Sequence, residues 1–145
     1  MTTDTLSLTI NRHFDAPPEQ VFDAWLGKAW GEWIGPRDIR GEVTALEPKV
    51  GGQYRIRMHK PDGTTLAVGG VYREIVRPSK LVFTWVWEEG QTDTLITLTF
   101  RKAGHGTDMT IRHEGFADAD RRDRHNSGWT SSFEKLAERL AREGV

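Results

Sequence analysis

Residues 129–140 read WTSSFEKLAERL and place Trp129, Phe133, Leu136 and Leu140 at intervals of four, three and four. Positions so spaced share one face of an α-helix, because the helix returns to the same side about every 3.6 residues. Charges take the other side: Glu134, Lys135, Glu138 and Arg139, then Arg142 and Glu143. Asp118 or Asp120 is placed to cap the start of this segment. The result is an amphipathic helix of about six turns, long enough to reach across a sheet of ordinary width. One apolar stripe on a long helix requires a partner layer, and the rest of the chain supplies it as strands.

Residues 41–48, 52–60, 66–76, 80–88, 92–102 and 107–116 each carry β-branched or aromatic side chains at every second position. Pro61-Asp62-Gly63 and Gly104-His105-Gly106 supply hairpin chemistry between neighbours. No segment of helical period separates these strands, so parallel crossovers are excluded and an antiparallel meander is expected. Ahead of them Leu6, Leu8 and Ile10 alternate with polar residues, which predicts a first strand over residues 6–14. Asp15-Ala16-Pro17-Pro18 then breaks it. Pro18 opens a helix with Val21, Phe22, Trp25 and Leu26 on its apolar side, ending near Gly27. A second short helix over residues 28–34 sets Trp30, Trp33 and Ile34 together before Gly35-Pro36 stops it. The expectation is an α+β fold: a first strand, two short helices, an antiparallel meander of six strands and a long amphipathic C-terminal helix.

The length of 145 residues suits one domain spanning the chain, burying about two-thirds of its unfolded surface. Cysteine is absent, which excludes disulfides, thiolate metal sites and a cysteine nucleophile. A net charge of -1 with interspersed signs offers no field for nucleic acid. No apolar run approaches the roughly twenty residues needed to cross a bilayer. Residues 1–7 lack a basic run followed by an apolar block, so no secretory leader is expected and a cytoplasmic location is. Six tryptophans in so short a chain either fill an unusually wide core or line a cavity.

Five stretches carry a resemblance. They are residues 16–25 (APPEQVFDAW), 33–36 (WIGP), 51–54 (GGQY), 78–85 (PSKLVFTW), and 113–116 (HEGF) followed by Gly128-Trp129. In this order and spacing the chain resembles the START-like (SRPBCC) superfamily, in the branch named after activators of the ninety-kilodalton heat-shock protein ATPase. The resemblance implies a helix-grip (START/Bet v 1-like) fold, a curved seven-stranded antiparallel sheet around the long C-terminal helix, with a cavity between sheet and helix. Superfamily functions include binding of lipids, hormones and polyketides, some cyclase chemistry, and co-chaperone work in the stress response. The two-domain activators that give the branch its name carry much of the chaperone contact on another domain, for which this chain has no room.

Strand alternation turns Tyr54, Ile56 and Met58 inward against Arg55 and Arg57, and likewise Phe83, Trp85 and Trp87, Ile96, Leu98 and Phe100, and Met109, Ile111 and His113. The last helix adds His125, Trp129 and Phe133. The candidate ligand-binding set is therefore Tyr54, Ile56, Met58, Phe83, Trp85, Ile96, Leu98, Met109, Ile111, His113, His125, Trp129 and Phe133. Against it stands dense packing of the same side chains on one another, the normal state of an interior. His113 and His125 with Tyr54 would be the proton-transfer groups of a cyclase or hydrolase. Without a tight ligand spacing or a third ligand they predict no metal, and no cofactor motif is present. Ser127, Ser131 and Ser132 lack a nucleophile elbow. Arg121-Arg122-Asp123-Arg124, flanked by Asp118 and Asp120, reads as a solvated face of local pairs. Gly27, Gly31 and Gly35 serve turns and close packing rather than a phosphate loop. The reading is a binder of an apolar small molecule of lipid, polyketide or aromatic type. The alternatives are a partner and ATPase activator of the ninety-kilodalton chaperone, and a cyclase or hydrolase using the same cavity. The oligomeric state is open.

Overall fold

A computed structural model describes residues 6–90 and 93–143. Residues 1–5, part of the stretch read for a leader, and Thr92, the expected start of a strand, lie outside the described residues. Strand β1 (Leu6–Phe14) leads into helices α1 (Pro18–Asp23) and α2 (Trp30–Trp33). Then come β2 (Arg40–Leu46), β3 (Gln53–His59), β4 (Thr65–Val76), β5 (Lys80–Trp87), β6 (Thr94–Ala103), β7 (Gly106–Phe116) and helix α3 (Ala119–Glu143). The strands form one antiparallel sheet in the order β1-β7-β6-β5-β4-β3-β2. β2 to β7 is thus the expected meander, and β1 returns to pair with β7, Ile10 opposite Ile111.

The sheet must curl to hold a helix, and β4 shows how. Its pairing with β5 opens between the Gly69–Val86 and Tyr72–Phe83 pairs. There Thr84 Oγ1 accepts from Val71 N–H at 2.8 Å, and the Tyr54 hydroxyl crosses β4 to donate to the Thr84 carbonyl at 2.5 Å. Gly70, opposite Tyr54 on β3, makes the crossing possible: a Cβ there would stand 2.0 Å from Thr84 O. Register shifts within β4 and β2 add bulges, which bend a strand locally.

α1 is shorter than its apolar pattern suggests. After Asp23 the chain tightens into i→i+3 bonds, Trp25 N–H to Phe22 O and Leu26 N–H to Asp23 O, both at 3.1 Å. Trp25 is fully buried, its ring centroid 4.8 Å from Trp33, 5.6 Å from Trp129 and 6.1 Å from Phe133. α2 lies against β2 backbone to backbone, since a Cβ on Gly31 would meet Gly41 O at 2.7 Å. Asp118 caps α3, its Oδ1 accepting from Arg121 N–H at 2.8 Å. The helix runs 25 residues, about 37 Å.

The buried face of α3 is Trp129, Ser132, Phe133, Leu136 and Leu140. Two charges expected in solvent are not there. Lys135 Nζ donates to the carbonyls of Ile34, Pro36 and Ile39 at 3.1–3.3 Å. Arg139, its side chain 24% exposed, pairs with Glu32 of α2 at 2.7 Å and with Glu143 at 2.9 Å. Both flank the apolar stripe on the side where α2 and its exit loop press on α3, so long cationic side chains reach carbonyls and a carboxylate there. Phe133 is 1% exposed and packs edge-on to Phe14 with centroids 6.3 Å apart.

Phe133→Ala should therefore cost roughly 3–5 kcal/mol in urea-unfolding free energy, from lost transfer energy and the void left behind. Glu134→Ala, one residue on and exposed, should change it by no more than about 0.5 kcal/mol. Equal losses from the two would refute the assignment of the buried side.

Candidate ligand-binding cleft

The concave side is filled unevenly. At the α1–α2 end, Trp25, Trp30, Trp33, Tyr54, Tyr72 and Phe83 pack ring against ring with centroids about 5–6 Å apart. At the other end a cleft of about 440 Å³ remains between the first half of α3, the loop leaving α2, and the ends of β3, β4 and β5. Its walls are Ile34, Pro36 and Ile39 on one side, Met58 and Leu66 from the sheet, and Trp85, Trp87 and Trp129. Lys60, Glu89, Arg121 and Arg124 are exposed and form its rim.

The loop wall is held to α3. Gly35 has φ +83°, a conformation that glycine adopts at little cost. Its N–H donates to Ser132 Oγ at 2.6 Å, and that hydroxyl donates to Gly128 O at 2.8 Å. With the three carbonyls on Lys135 this fixes the loop as a rigid side of the cleft. Gly128 faces the opening. A Cβ placed on it would meet no atom within 4 Å, so no packing contact demands glycine at this helical position.

Of the thirteen residues predicted for the site, Met58, Trp85, His125 and Trp129 line the cleft. Tyr54, Ile56, Phe83, Ile96, Leu98, Met109, Ile111 and His113 point inward as their strand parity requires, and with Phe133 of α3 they are closed into the packed core. The sequence reading missed the loop residues, Leu66, Gly128 and the rim. Trp87 was legible from its alternation with Trp85. Gly128 was legible as a glycine inside a helix, where it costs about 1 kcal/mol relative to Ala.

His113 and His125 do come together, with ring centroids 5.2 Å apart. The indole N–H of Trp129 donates to His113 Nδ1 at 3.1 Å, so Nε2 carries the proton and gives it to Thr94 Oγ1 at 2.8 Å. Thr94 in turn donates to Trp85 O. Likewise Trp87 donates to His125 Nε2 at 2.8 Å, and His125 Nδ1–H donates to Arg121 O at 2.7 Å. All four ring nitrogens are engaged within the protein, and each acceptor nitrogen faces a group that can only donate. Burial, with His125 adding to it, pushes the His113 pKa down to about 2. Burial and the nearby Arg124 lower that of His125, against the Arg121 carbonyl, which raises it. Burial raises the Tyr54 phenol well above its usual value while its proton is bound to Thr84 O. These groups are polar lining and scaffold, held neutral. Among the described residues no three His, Asp or Glu side chains are placed to hold a metal ion, and no helix is long and apolar enough to cross a membrane.

A curled antiparallel sheet gripping one long helix, with an apolar cleft beside that helix, defines a START-like, helix-grip protein. The family described as Activator of Hsp90 ATPase homolog 1-like protein matches residues 15–141, and the chain belongs to it. Protein CV1439 from Chromobacterium violaceum is 28% identical with a TM-score of 0.88, over 92% of this chain and 96% of that one. The AHSA1 (SPO3351) protein from Silicibacter pomeroyi is 26% identical with a TM-score of 0.83, over 95% and 99%. A Rhodobacter sphaeroides protein is 26% identical with a TM-score of 0.82, over 94% and 92%. A search of curated proteins finds no match.

The neutral histidines set a pH dependence. Between the unfolded imidazole pKa near 6.5 and the folded value of about 2 for His113, the unfolded chain takes up a proton that the native state refuses. Stability is therefore full above pH 6.5 and falls on acidification, by about 1.4 kcal/mol per pH unit for one such group. His125 steepens the fall. His13, raised by Asp108 and Asp15, acts oppositely, and its contribution is complete below pH 6.5. Urea unfolding at pH 6.0, 5.5 and 5.0 should show the decline, and a flat profile would exclude the neutral relay.

Proposed function

We propose that the protein binds an apolar small molecule in the cleft between the sheet and α3. The observation that carries this reading is the unfilled end of the concave face. Three indoles, in contact with one another at centroid distances of 5.1 and 5.7 Å, and five apolar side chains of the loop and sheet present one side to unfilled space, although interiors otherwise close-pack. About 440 Å³ falls within the roughly 300–1,000 Å³ typical of small-molecule sites. The imidazole of His125 and the hydroxyl of Ser132 at its wall are engaged within the protein, which favours holding a ligand over transforming it. The family's description supplies a second reading, stimulation of the Hsp90 ATPase. It would be seen directly as raised ATP turnover on adding this protein to that chaperone.

Binding should appear as a saturable change in tryptophan emission, since Trp85, Trp87 and Trp129 line the cleft. Flavonoids, aromatic polyketides and fatty acids are the classes to titrate. Gly128→Leu projects a side chain into the opening and should weaken binding at least about tenfold. The fold should stand and even gain, because glycine inside a helix costs about 1 kcal/mol relative to Ala. No response to any class, or full affinity in the Leu variant, would refute the reading.

A further inference from the structure

The rim of the cleft is not neutral. Lys60 follows β3, Glu89 follows β5, and Arg121 and Arg124 stand on the first turns of α3, so three cations face one carboxylate around an apolar interior. Arg121 pairs with Asp118 at 3.0 Å and Arg124 with Asp120 at 2.6 Å. Both aspartates lie outside the cleft lining. These are exposed pairs along one helix, each worth at most about 1 kcal/mol, and they yield readily to a better placed acceptor. Lys60 makes no ion pair among the described residues.

We propose that the occupant is an apolar molecule carrying one acidic group, its body against the three indoles and its anionic end at the rim formed by Lys60, Arg121 and Arg124. This rests on the reading of the cleft as a binding site. A ligand that seats there strips water from the rim, and an ammonium or guanidinium that loses water needs a replacement acceptor. An anionic end supplies it, and the low dielectric of the ligand's own body strengthens the attraction. A neutral ligand leaves the cations less well solvated than before, and a cationic one is repelled by them. The open space at Gly128, on the same helix between the rim arginines and Trp129, favours a flat ring system lying across the backbone over a bulky branched one.

Two fluorescent probes with one ring body decide the matter: 8-anilinonaphthalene-1-sulfonate, and N-phenyl-1-naphthylamine, which lacks the sulfonate. At low salt the full chain should bind the sulfonate at least about tenfold more tightly, and the gap should narrow in about 1 M NaCl, where the screening length shrinks to about 3 Å. Lys60 and Arg124 are exposed, so the double variant Lys60→Gln/Arg124→Gln should keep the fold and the neutral probe while losing the gap. Lys102→Gln, exposed and away from the cleft, should keep the gap. Gly128→Leu should lose both probes. If it retains the sulfonate, the anion sits elsewhere and the proposal falls. Equal affinities for the two probes, or a gap that survives the double variant, overturn the anionic assignment and leave the cleft a binding site. Failure of the wild-type protein to bind either probe overturns the binding reading itself.

Discussion

A seven-stranded sheet with one apolar face must cover that face, and here a single helix bears most of the task. The stacked rings of Trp129 and Phe133, with centroids 5.8 Å apart, sit at the centre of the concavity and touch both the short helices and the sheet. The β4–β5 ladder opens at Gly70, Tyr54 crosses over it, and the chain after α1 tightens so that Trp25 meets both rings. Aromatic side chains suit such a place because each buries a large area in a flat body that slides against its neighbours.

A single helix about 37 Å long cannot by itself fill a curved sheet evenly. Along its second half the gap is taken up by α1, α2 and the knot of rings they deliver. Along its first half nothing equivalent arrives. The exit loop of α2 stops short because Ser132 and Lys135 hold it by its backbone, and Gly128 adds no side chain of its own. The cleft is thus a consequence of where the filling material runs out, bounded by a wall that hydrogen bonds keep from collapsing inward.

Period and turn chemistry made the order of the elements legible, and the family resemblance added the curvature of the sheet. The four-three-four spacing of α3, the alternation of the strands and the Pro-Asp-Gly and Gly-His-Gly turns all agree, as they do in a chain whose local preferences match its fold. Alternation also assigned the inward side of β3, β5, β6 and β7 correctly, from Tyr54 to His113. It could not say how deep each inward residue lies. Ile96 and Trp85 share a parity class with the same meaning in sequence, yet one is closed into the core and the other borders the cleft. That difference depends on which part of α3 or of the α2 loop stands opposite, for Trp85 a relation with Trp129 and Ile34, 44 and 51 positions away in the chain. Charged positions on α3 misled for the same reason. Lys135 and Arg139 have the spacing of a solvent face, but the partner layer wraps further round the helix than the apolar stripe alone indicates.

The six indoles divide in a way that bears on the chemistry. Trp33 donates to the Ala24 carbonyl, Trp87 to His125 and Trp129 to His113, whereas the N–H groups of Trp25, Trp30 and Trp85 are buried without a protein acceptor. A buried donor left unpaired costs about 1–3 kcal/mol. Indoles therefore compete for acceptors in this core, and the two histidines are consumed as acceptors by two of the three cleft tryptophans, Trp87 and Trp129. An imidazole so used cannot also take a proton from a substrate, because protonation would set two donors against each other. The residues that look most chemical in the sequence are in this way committed to fixing the orientation of Trp87 and Trp129. What they govern is the shape of the cleft wall.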